Sequence, residues 1–281
     1  LGKNDLGVVF FLRKGKRTPK IPPPVKLIKK TATRMLRDAE NLKKIAREFT
    51  NEANGTLTIA TTHTQARYSL PPVIQLFTAR YPKVKLILRQ GSPVQIATLV
   101  TSGEADIAIA TEAIEQFSEL ITLPCYQWNR CVIVPPRHPL LKMKKLTLEA
   151  ITRYPIITYD DAFTGRSKIN QAFANHGLEP NVVLTAIDSD VIKTYVELGL
   201  GIGILANMAF EAKRDKNLKS IDASHLFESS TTRIGISRNN YIRGYIFDFI
   251  EMFSPHLNRA SIQAKLEGSK NGHMDLQIDS Q

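Results

Sequence analysis

The sequence predicts an α/β protein with two lobes, preceded by a long amphipathic helix. Strand and helix patterns alternate from Thr56 onward in two successive series, which is typical of largely parallel sheets with helices on both faces. Residues 25–49 carry apolar side chains at heptad spacing, which predicts a helix of more than three heptads. The chain has 281 residues, 43% of them hydrophobic, which is enough apolar material for about two domains.

Positive charge is concentrated at the start of the chain. The formal net charge is +12, and residues 1–50 hold 14 Lys and Arg residues against 4 Asp and Glu residues. The rest of the chain is therefore close to neutral. A basic segment on a neutral body suggests a polyanion partner, nucleic acid first and a membrane surface second, with a solubilising arm as the alternative.

Composition disfavours several classes of protein. No apolar run in the sequence is long enough to span a bilayer, and no signal-peptide core lies near the start. The two cysteines, Cys125 and Cys131, form neither a disulfide framework nor a metal motif, so we expect a cytoplasmic protein with no cofactor and no metal. The sequence contains no nucleophile elbow, zinc motif or P-loop and therefore predicts no enzyme.

A predicted strand and basic turn come first, and a proline run at residues 22–24 ends them. The long helix begins after this run. Its other faces are strongly basic. A narrow apolar stripe on such a helix favours a seam between two helices over packing on its own domain. The predicted dimer seam consists of Val25, Ile28, Ala32, Met35, Ala39, Leu42, Ala46 and Phe49.

The α/β body follows in chain order. Proline at the start of residues 72–80 and glycine after residues 93–102 and 164–176 are typical of helix ends. The remaining predicted helices are residues 146–152, 189–198, 207–214 and 241–253, with a weak helix after Pro255 and a polar tail. The predicted strands are residues 56–61, 84–89, 106–110, 131–134, 156–159, 182–186, 202–205 and 232–237.

Hydroxyl and amide side chains follow several of the predicted strands. Free backbone N–H groups at such strand ends, together with neutral donors, suit an oxyanion or a small polar metabolite. Any single hydroxyl here is more simply a helix cap, but as a set these positions predict a ligand site at the carboxyl ends of the strands. The candidates are Thr62, Thr64, Gln65, Ser92, Thr111, Thr164, Gly165 and Arg166.

Two further residues are weaker candidates. Trp128 is a candidate pocket residue, although aromatic side chains more often belong to the core. His63 lies beside the candidate site, but a single histidine with no adjacent nucleophile or carboxylate is weak support for catalysis.

Seven short segments resemble the LysR-type transcriptional regulators, in particular activators of cysteine and sulfur-assimilation genes. They are residues 60–68 (ATTHTQARY), 90–93 (QGSP), 110–113 (ATEA), 123–126 (LPCY), 128–130 (WNR), 163–167 (FTGRS) and 190–195 (DVIKTY). The resemblance implies a two-lobed, periplasmic-binding-protein-like effector domain that takes sulfate, O-acetylserine or N-acetylserine. On this pattern, the anion contacts are Thr62, Thr64, Gln65, Thr111 and Thr164.

The resemblance also divides the chain. Residues 1–21 would be the trailing part and wing of a winged helix-turn-helix, whose DNA-reading portion is expected to precede Leu1. Residues 22–54 would be the dimerisation helix, residues 55–124 and 230–266 the first effector lobe, residues 125–229 the second, and residues 267–281 a polar tail. The wing residues expected on the DNA backbone are Arg13, Lys14, Lys16 and Arg17.

The implied partners are promoter DNA, a small-molecule effector and further copies of the chain, from dimer to tetramer. RNA polymerase is a further candidate partner, and no membrane is expected. Two rival functions stay open at this point: a sulfate or oxyanion solute-binding protein with no DNA function, and an enzyme acting on a sulfur or serine metabolite. The first requires no basic coiled coil, so the mass in solution distinguishes it from a regulator.

Overall fold

The computed structural model describes residues 23–49, 54–238 and 240–274. The predicted basic turn with Arg13, Lys14, Lys16 and Arg17 lies outside the described residues. The chain divides into two compact units, Leu1–Glu52 and Ala53–Gln281. In the described part of the chain, no helix combines the length and apolar character needed to cross a bilayer.

The first unit contains helix α1 (Pro23–Phe49), which lies where the heptad spacing predicts a helix. Its prolines stand in the first turn. Backbone N–H groups of that turn have no acceptor within the helix, so the N–H group that proline lacks costs no hydrogen bond there. The 27 residues make a helix about 40 Å long. Met35 and Leu42 of the predicted seam are exposed on it, so α1 carries an apolar stripe.

The second unit alternates strands and helices. Its strands are β1 (Gly55–Thr61), β2 (Val84–Gln90), β3 (Ile107–Thr111), β4 (Leu120–Trp128), β5 (Arg130–Val134), β6 (Ile156–Tyr159), β7 (Val182–Ala186), β8 (Ile202–Ala206), β9 (Lys219–Asp222) and β10 (Ser230–Ser237). Its helices are α2 (Leu70–Arg80), α3 (Pro93–Ser102), α4 (Leu148–Thr152), α5 (Thr164–Ala174), α6 (Ser189–Glu197), α7 (Gly244–Phe253) and α8 (Arg259–Met274). Short 3-10 turns are Glu112–Gln116, Pro139–Lys142 and Asn207–Ala209.

The strands form two mixed sheets, one in each lobe. The first lobe has the order β2-β1-β3-β10-β4, and the second has the order β7-β6-β8-β5-β9. As predicted, β1 is parallel to β2 and β3, and β6 is parallel to β7 and β8. Strand β10 is antiparallel to β3 and β4, and β5 is antiparallel to β8 and β9. The chain crosses between the lobes at Asn129 and again between β9 and β10.

Helices cover both faces of each sheet, which explains the nearly continuous apolar strands. In β1, Leu57 and Ile59 pack in one cluster with Phe77 of α2, whereas Ala60 packs on the opposite face with Ile96 of α3. The small side chain of Ala60 lets α3 approach the sheet closely. Because both faces of β1 are buried, its apolar residues determine where the strand ends. The polar residues that follow β1 therefore lie at this end of the sheet.

Strand β4 was not predicted, because Pro124 interrupts its alternating pattern. Proline has no N–H for a ladder hydrogen bond, and the register with β10 shifts at Thr232 and Arg233, opposite this proline. Strand β4 continues to Trp128, past the lobe boundary predicted between residues 124 and 125.

One predicted helix is wrong. Residues 207–214 do not form a helix, because Asn207–Ala209 is a 3-10 turn and the Asp215 carboxylate accepts a hydrogen bond from the Glu211 backbone N–H at 2.8 Å. The edge strand β9 was also missed. At the other end, α8 reaches Met274 and overlaps the predicted polar tail.

Candidate ligand-binding site between the lobes

The carboxyl ends of β1, β3 and β6 meet at a small cavity between the two lobes, with a volume of about 30 Å³. Six of the predicted site residues line it, and both lobes contribute to its wall. The predicted lining residues are Thr62, Thr64, Gln65, Thr111, Trp128 and Gly165. The sequence reasoning missed Tyr159, Phe163 and Ile187, although all three lie at or just beyond a strand end, where ligands bind in such sheets.

The segment after β1 is helical rather than a loop. Helical backbone begins at His63, passes through a π-helical turn at Gln65–Ser69 and continues as α2. The first N–H groups of a helix have no partner within it, so this helix start presents donors next to the hydroxyls of Thr62 and Thr64. π-Helical turns are rare and are frequent at functional sites.

Gln65 is held in place from two sides. Its Nε2 atom donates to Thr232 Oγ1 at 2.9 Å, and its Oε1 atom lies 2.5 Å from the Tyr126 hydroxyl, which donates to it. The same hydroxyl lies 2.7 Å from Ser69 Oγ, at the far end of the π-helical turn. With its carbonyl oxygen occupied, Gln65 presents the second hydrogen of its amide as a fixed donor.

Tyr159 supplies the opposite wall from the second lobe. Its hydroxyl accepts a hydrogen bond from the Ala206 backbone N–H at 3.1 Å and lies 2.8 Å from Ser189 Oγ. Burial raises the pKa of Tyr159, and hydrogen bonds that include one with Thr64 oppose the rise. The phenol therefore stays neutral, and Thr64 of the first lobe contacts the second lobe here.

Trp128 and Arg130 flank the crossing at Asn129. Trp128 lines the cavity, and its buried Nε1 atom has no hydrogen-bond partner among the residues that the structure describes. The Arg130 side chain is fully buried, and its Cζ atom lies 5.2 Å from the centroid of the Trp128 ring. Burial lowers the pKa of Arg130 from its ordinary value.

Three predicted site residues have other positions or are not described. Ser92 caps α3 by accepting from the Gln95 backbone N–H, and it lines a neighbouring cavity of about 340 Å³ together with His63. Arg166 lies outside the cavity lining and donates to Tyr159 O at 3.1 Å and Asn170 Oδ1 at 2.7 Å. Thr164 begins α5, and its side chain lies outside the described set.

The lining contains no charged side chain among the residues that the structure describes. Hydroxyls, an amide, an indole N–H and backbone groups surround a small space, an arrangement that solvates an oxyanion through hydrogen bonds. The described residues also contain no cluster of His, Cys, Asp and Glu arranged for a metal ion.

Polar contacts join the lobes beside the cavity. On one side, Glu112 Oε1 of the first lobe lies 2.6 Å from Lys168 Nζ of the second. On the other side, Lys193 of the second lobe lies 2.9 Å from the Tyr68 hydroxyl of the first lobe and 3.0 Å from Asp190 on its own helix. Burial opposes the shift, but these hydrogen bonds raise the pKa of Lys193 above its ordinary value, so the amine stays charged.

Residues 50–258 match the LysR substrate binding domain. The chain is 54% identical over 264 residues to the HTH-type transcriptional regulator SsuR of Burkholderia cenocepacia, covering 94% of this chain and 86% of SsuR. It is 49% identical over 271 residues to the HTH-type transcriptional regulator CysB of the same species, covering 96% and 87% of the two chains.

A solved structure agrees with these similarities. The cofactor-binding domain of the Cbl transcriptional regulator superposes with a TM-score of 0.74 at 46% identity, covering 77% of this chain and 95% of that domain. The predicted two-lobed α/β fold is confirmed. The family resemblance found in the sequence is confirmed as well, and the chain belongs to the LysR-type transcriptional regulators.

Proposed function

We propose that this regulator controls genes of sulfur assimilation and cysteine biosynthesis, and that it senses sulfate, O-acetylserine or N-acetylserine between its lobes. The cavity lining carries the proposal, because it combines neutral hydrogen-bond donors from both lobes with no carboxylate among the described lining residues. Similarity to the regulators named CysB, SsuR and Cbl supports the assignment to sulfur metabolism.

The chemistry of the lining favours sulfate over phosphate. At neutral pH, phosphate carries at least one O–H group, which needs an acceptor when it is taken out of water. Sulfate only accepts hydrogen bonds, and the hydroxyl and N–H groups of the lining side chains can donate them. The O–H group of phosphate needs an acceptor, and the described lining offers it no carboxylate. The same donors suit the carboxylate of an acetylserine.

The regulatory step follows from the location of the cavity. Thr62 and Thr64 belong to the first lobe, and Tyr159 and Gly165 belong to the second. An effector that touches both lobes stabilises the arrangement in which both sets of donors converge. The size of this stabilisation equals the difference in binding free energy between that arrangement and one in which the donors are apart. Helix α1 would then carry the change to the partner subunit in a dimer or tetramer, and hence to promoter DNA and RNA polymerase in the cytoplasm. The basic residues before α1 would contact phosphates of the DNA.

Calorimetric titration of the purified protein with sulfate, O-acetylserine and N-acetylserine tests the proposal, with phosphate as the control. We expect saturable binding of at least one of the three and none of phosphate in the same concentration range. Binding of none of the three would refute the proposed effector class. Equal binding of phosphate and sulfate would show that the lining does not discriminate between them.

A further inference from the structure

Arg130 at the start of β5 is a fully buried arginine with no acidic partner among the described residues. Its Nη1 atom donates to the Glu228 carbonyl oxygen at 2.7 Å and its Nη2 atom to Ser230 Oγ at 2.9 Å. Its Nε atom has no hydrogen-bond partner in the described part of the chain. A buried charge without compensation is destabilising, so an arginine of this kind is stabilised when an anion binds close by.

Two residues of the cavity lining, Trp128 and Gly165, lie next to this guanidinium. The Trp128 ring, which lines the cavity, stacks 5.2 Å from Arg130 Cζ. Gly165 lines the cavity from the second lobe, and a Cβ atom placed on it would lie 3.9 Å from Arg130 Nη2. Arg130 is therefore one layer behind the wall, separated from the cavity by an aromatic ring and a residue without a side chain.

The nearest acidic groups are engaged elsewhere. Glu112 Oε1 lies 2.6 Å from Lys168 Nζ, and Glu228 Oε2 lies 3.6 Å from the same amine. Glu228 binds Arg130 through its backbone carbonyl oxygen, and its carboxylate forms no ion pair with Arg130 within the described part of the chain. Burial lowers the pKa of Arg130, and the charges of Glu112 and Glu228 oppose this shift without pairing with the guanidinium among the described residues. The positive charge of Arg130 is therefore only partly compensated, and it acts on the cavity through a medium of low polarity, where charges interact strongly.

We propose that Arg130 sets the charge selectivity of the cavity, acting through the wall formed by Trp128 and Gly165, while the indole N–H of Trp128 donates to the bound anion. This inference rests on the proposed function, because it requires that the cavity binds an effector. Arg130 is a positioning and selectivity residue, not a direct ligand contact. Its effect must scale with the net charge of the ligand.

The three candidate effectors provide a charge series. At neutral pH sulfate carries two negative charges, N-acetylserine carries one, and O-acetylserine is a zwitterion with no net charge. Replacing Arg130 by glutamine removes the positive charge. We expect affinity to fall about a hundredfold for sulfate and about tenfold for N-acetylserine, with a change of less than about threefold for O-acetylserine.

The experiment is calorimetric titration of wild type, Arg130→Gln and Arg130→Lys with sulfate, N-acetylserine, O-acetylserine and phosphate. Arg130→Lys keeps the charge and should keep the wild-type ranking of ligands, even if it unfolds at a lower temperature. Arg243→Gln is the matched control. Arg243 is also buried, its Nε atom also has no hydrogen-bond partner among the described residues, and it also binds a carbonyl oxygen and a hydroxyl. Its contacts, Asn54 and Tyr245, do not line the cavity, whereas Trp128 and Gly165 beside Arg130 do.

The outcomes separate the two proposals. If wild type binds none of the three effectors, the proposed function fails. If it then binds phosphate alone, the effect of Arg130→Gln on phosphate affinity still tests the role of Arg130. If wild type binds no anion at all, both proposals fail. If wild type binds and Arg130→Gln weakens all ligands equally, or if Arg243→Gln reproduces the graded loss, Arg130 has a structural role only and the inference is overturned.

Discussion

The Tyr68 hydroxyl of the first lobe donates a hydrogen bond of 2.6 Å to Asp190 Oδ1 of the second lobe. Arg67 Nε contacts the other oxygen of the same carboxylate at 3.1 Å. Both residues belong to the π-helical turn that also places Gln65 at the cavity, with Thr64 immediately before it. One short segment therefore carries residues of the proposed ligand site and inter-lobe contacts together, so a ligand that ordered this turn would also order the contact between lobes.

Replacing Asp190 by asparagine tests this coupling. Arg67 loses its ion pair, and Lys193 keeps its ion pair with Asp215, which lies 3.1 Å away. Because the Asp190 side chain is 39% exposed, we expect a loss of only about 1 kcal/mol in the free energy of unfolding, measured with urea. Effector affinity should fall severalfold, although Asp190 does not line the cavity.

The stability that Asp190 contributes depends on pH. Burial opposes the shift, but hydrogen bonds from Tyr68 and Lys193 hold the pKa of Asp190 below its ordinary value of 3.8. The stabilisation is therefore present above that value and is lost as the pH falls below it. Glu197→Gln, which removes one exposed carboxylate from α6, is the control. An equal effect of both variants would mean that loss of helix charge, and not the contact with Tyr68, is responsible.

The sequence predicted the parts of the site that depend on local pattern. Apolar strands followed at once by hydroxyl and amide residues placed Thr62, Thr64 and Thr111 at strand ends, and parallel pairing then brings those ends together. The same rule applied to β6 would have added Tyr159, which was overlooked because it reads as an ordinary aromatic core residue. The capping role of Ser92 was stated as the simpler alternative for any single hydroxyl.

Other parts depend on contacts between distant segments, which no local pattern reports. Arg130 reads as a charged residue at a strand start, and only the packing of Glu228 and Ser230 against it reveals a fully buried guanidinium. Similarly, residues 207–214 have helical spacing, but Lys193 Nζ donates to the Ala209 carbonyl oxygen at 3.0 Å and holds this backbone in another conformation.

Thr64→Val tests the contribution of a single hydroxyl in the cavity. Valine keeps the branched shape and removes the donor, and a hydrogen bond to a charged group contributes about 1.5–3 kcal/mol. We expect sulfate affinity to fall about tenfold or more in calorimetric titration. Thr78→Val on α2 is the control, because its exposed hydroxyl donates to carbonyl oxygens of its own helix, to Ile74 at 2.9 Å and to Gln75 at 3.2 Å. Unchanged affinity in Thr64→Val would remove Thr64 from the site.

The two buried thiols predict a loss of stability at high pH. Burial raises the pKa of Cys125 and of Cys131 from 9.0 to about 11. The unfolded chain loses these protons first as the pH rises. The free energy of unfolding should therefore be unaffected by the thiols below pH 9 and should fall between pH 9 and about pH 11, by up to about 3 kcal/mol for each thiol.

Cys131→Ala separates the thiol from other groups that titrate in this range. Removing the side chain shifts stability by a constant amount, because a small cavity forms, but it also makes the fall between pH 9 and about pH 11 shallower. Urea unfolding at several pH values measures the slope. Parallel curves for wild type and variant would show that Cys131 contributes nothing to the pH dependence.

The apolar stripe on α1 leads to a prediction about mass in solution. Met35 occupies a predicted seam position and is 66% exposed within the chain, whereas Leu27 lies off the seam and is 67% exposed. In a helix–helix seam, Met35→Asp places a charge at a buried apolar position and loses about 2–3 kcal/mol of burial per chain, which weakens dimerisation about a hundredfold or more.

Light scattering after size exclusion should show dissociation for Met35→Asp and an unchanged oligomer for Leu27→Asp. Because the two side chains are equally exposed in the single chain, only a seam at the predicted heptad positions accounts for a difference between them, and equal behaviour of the two variants would exclude that seam.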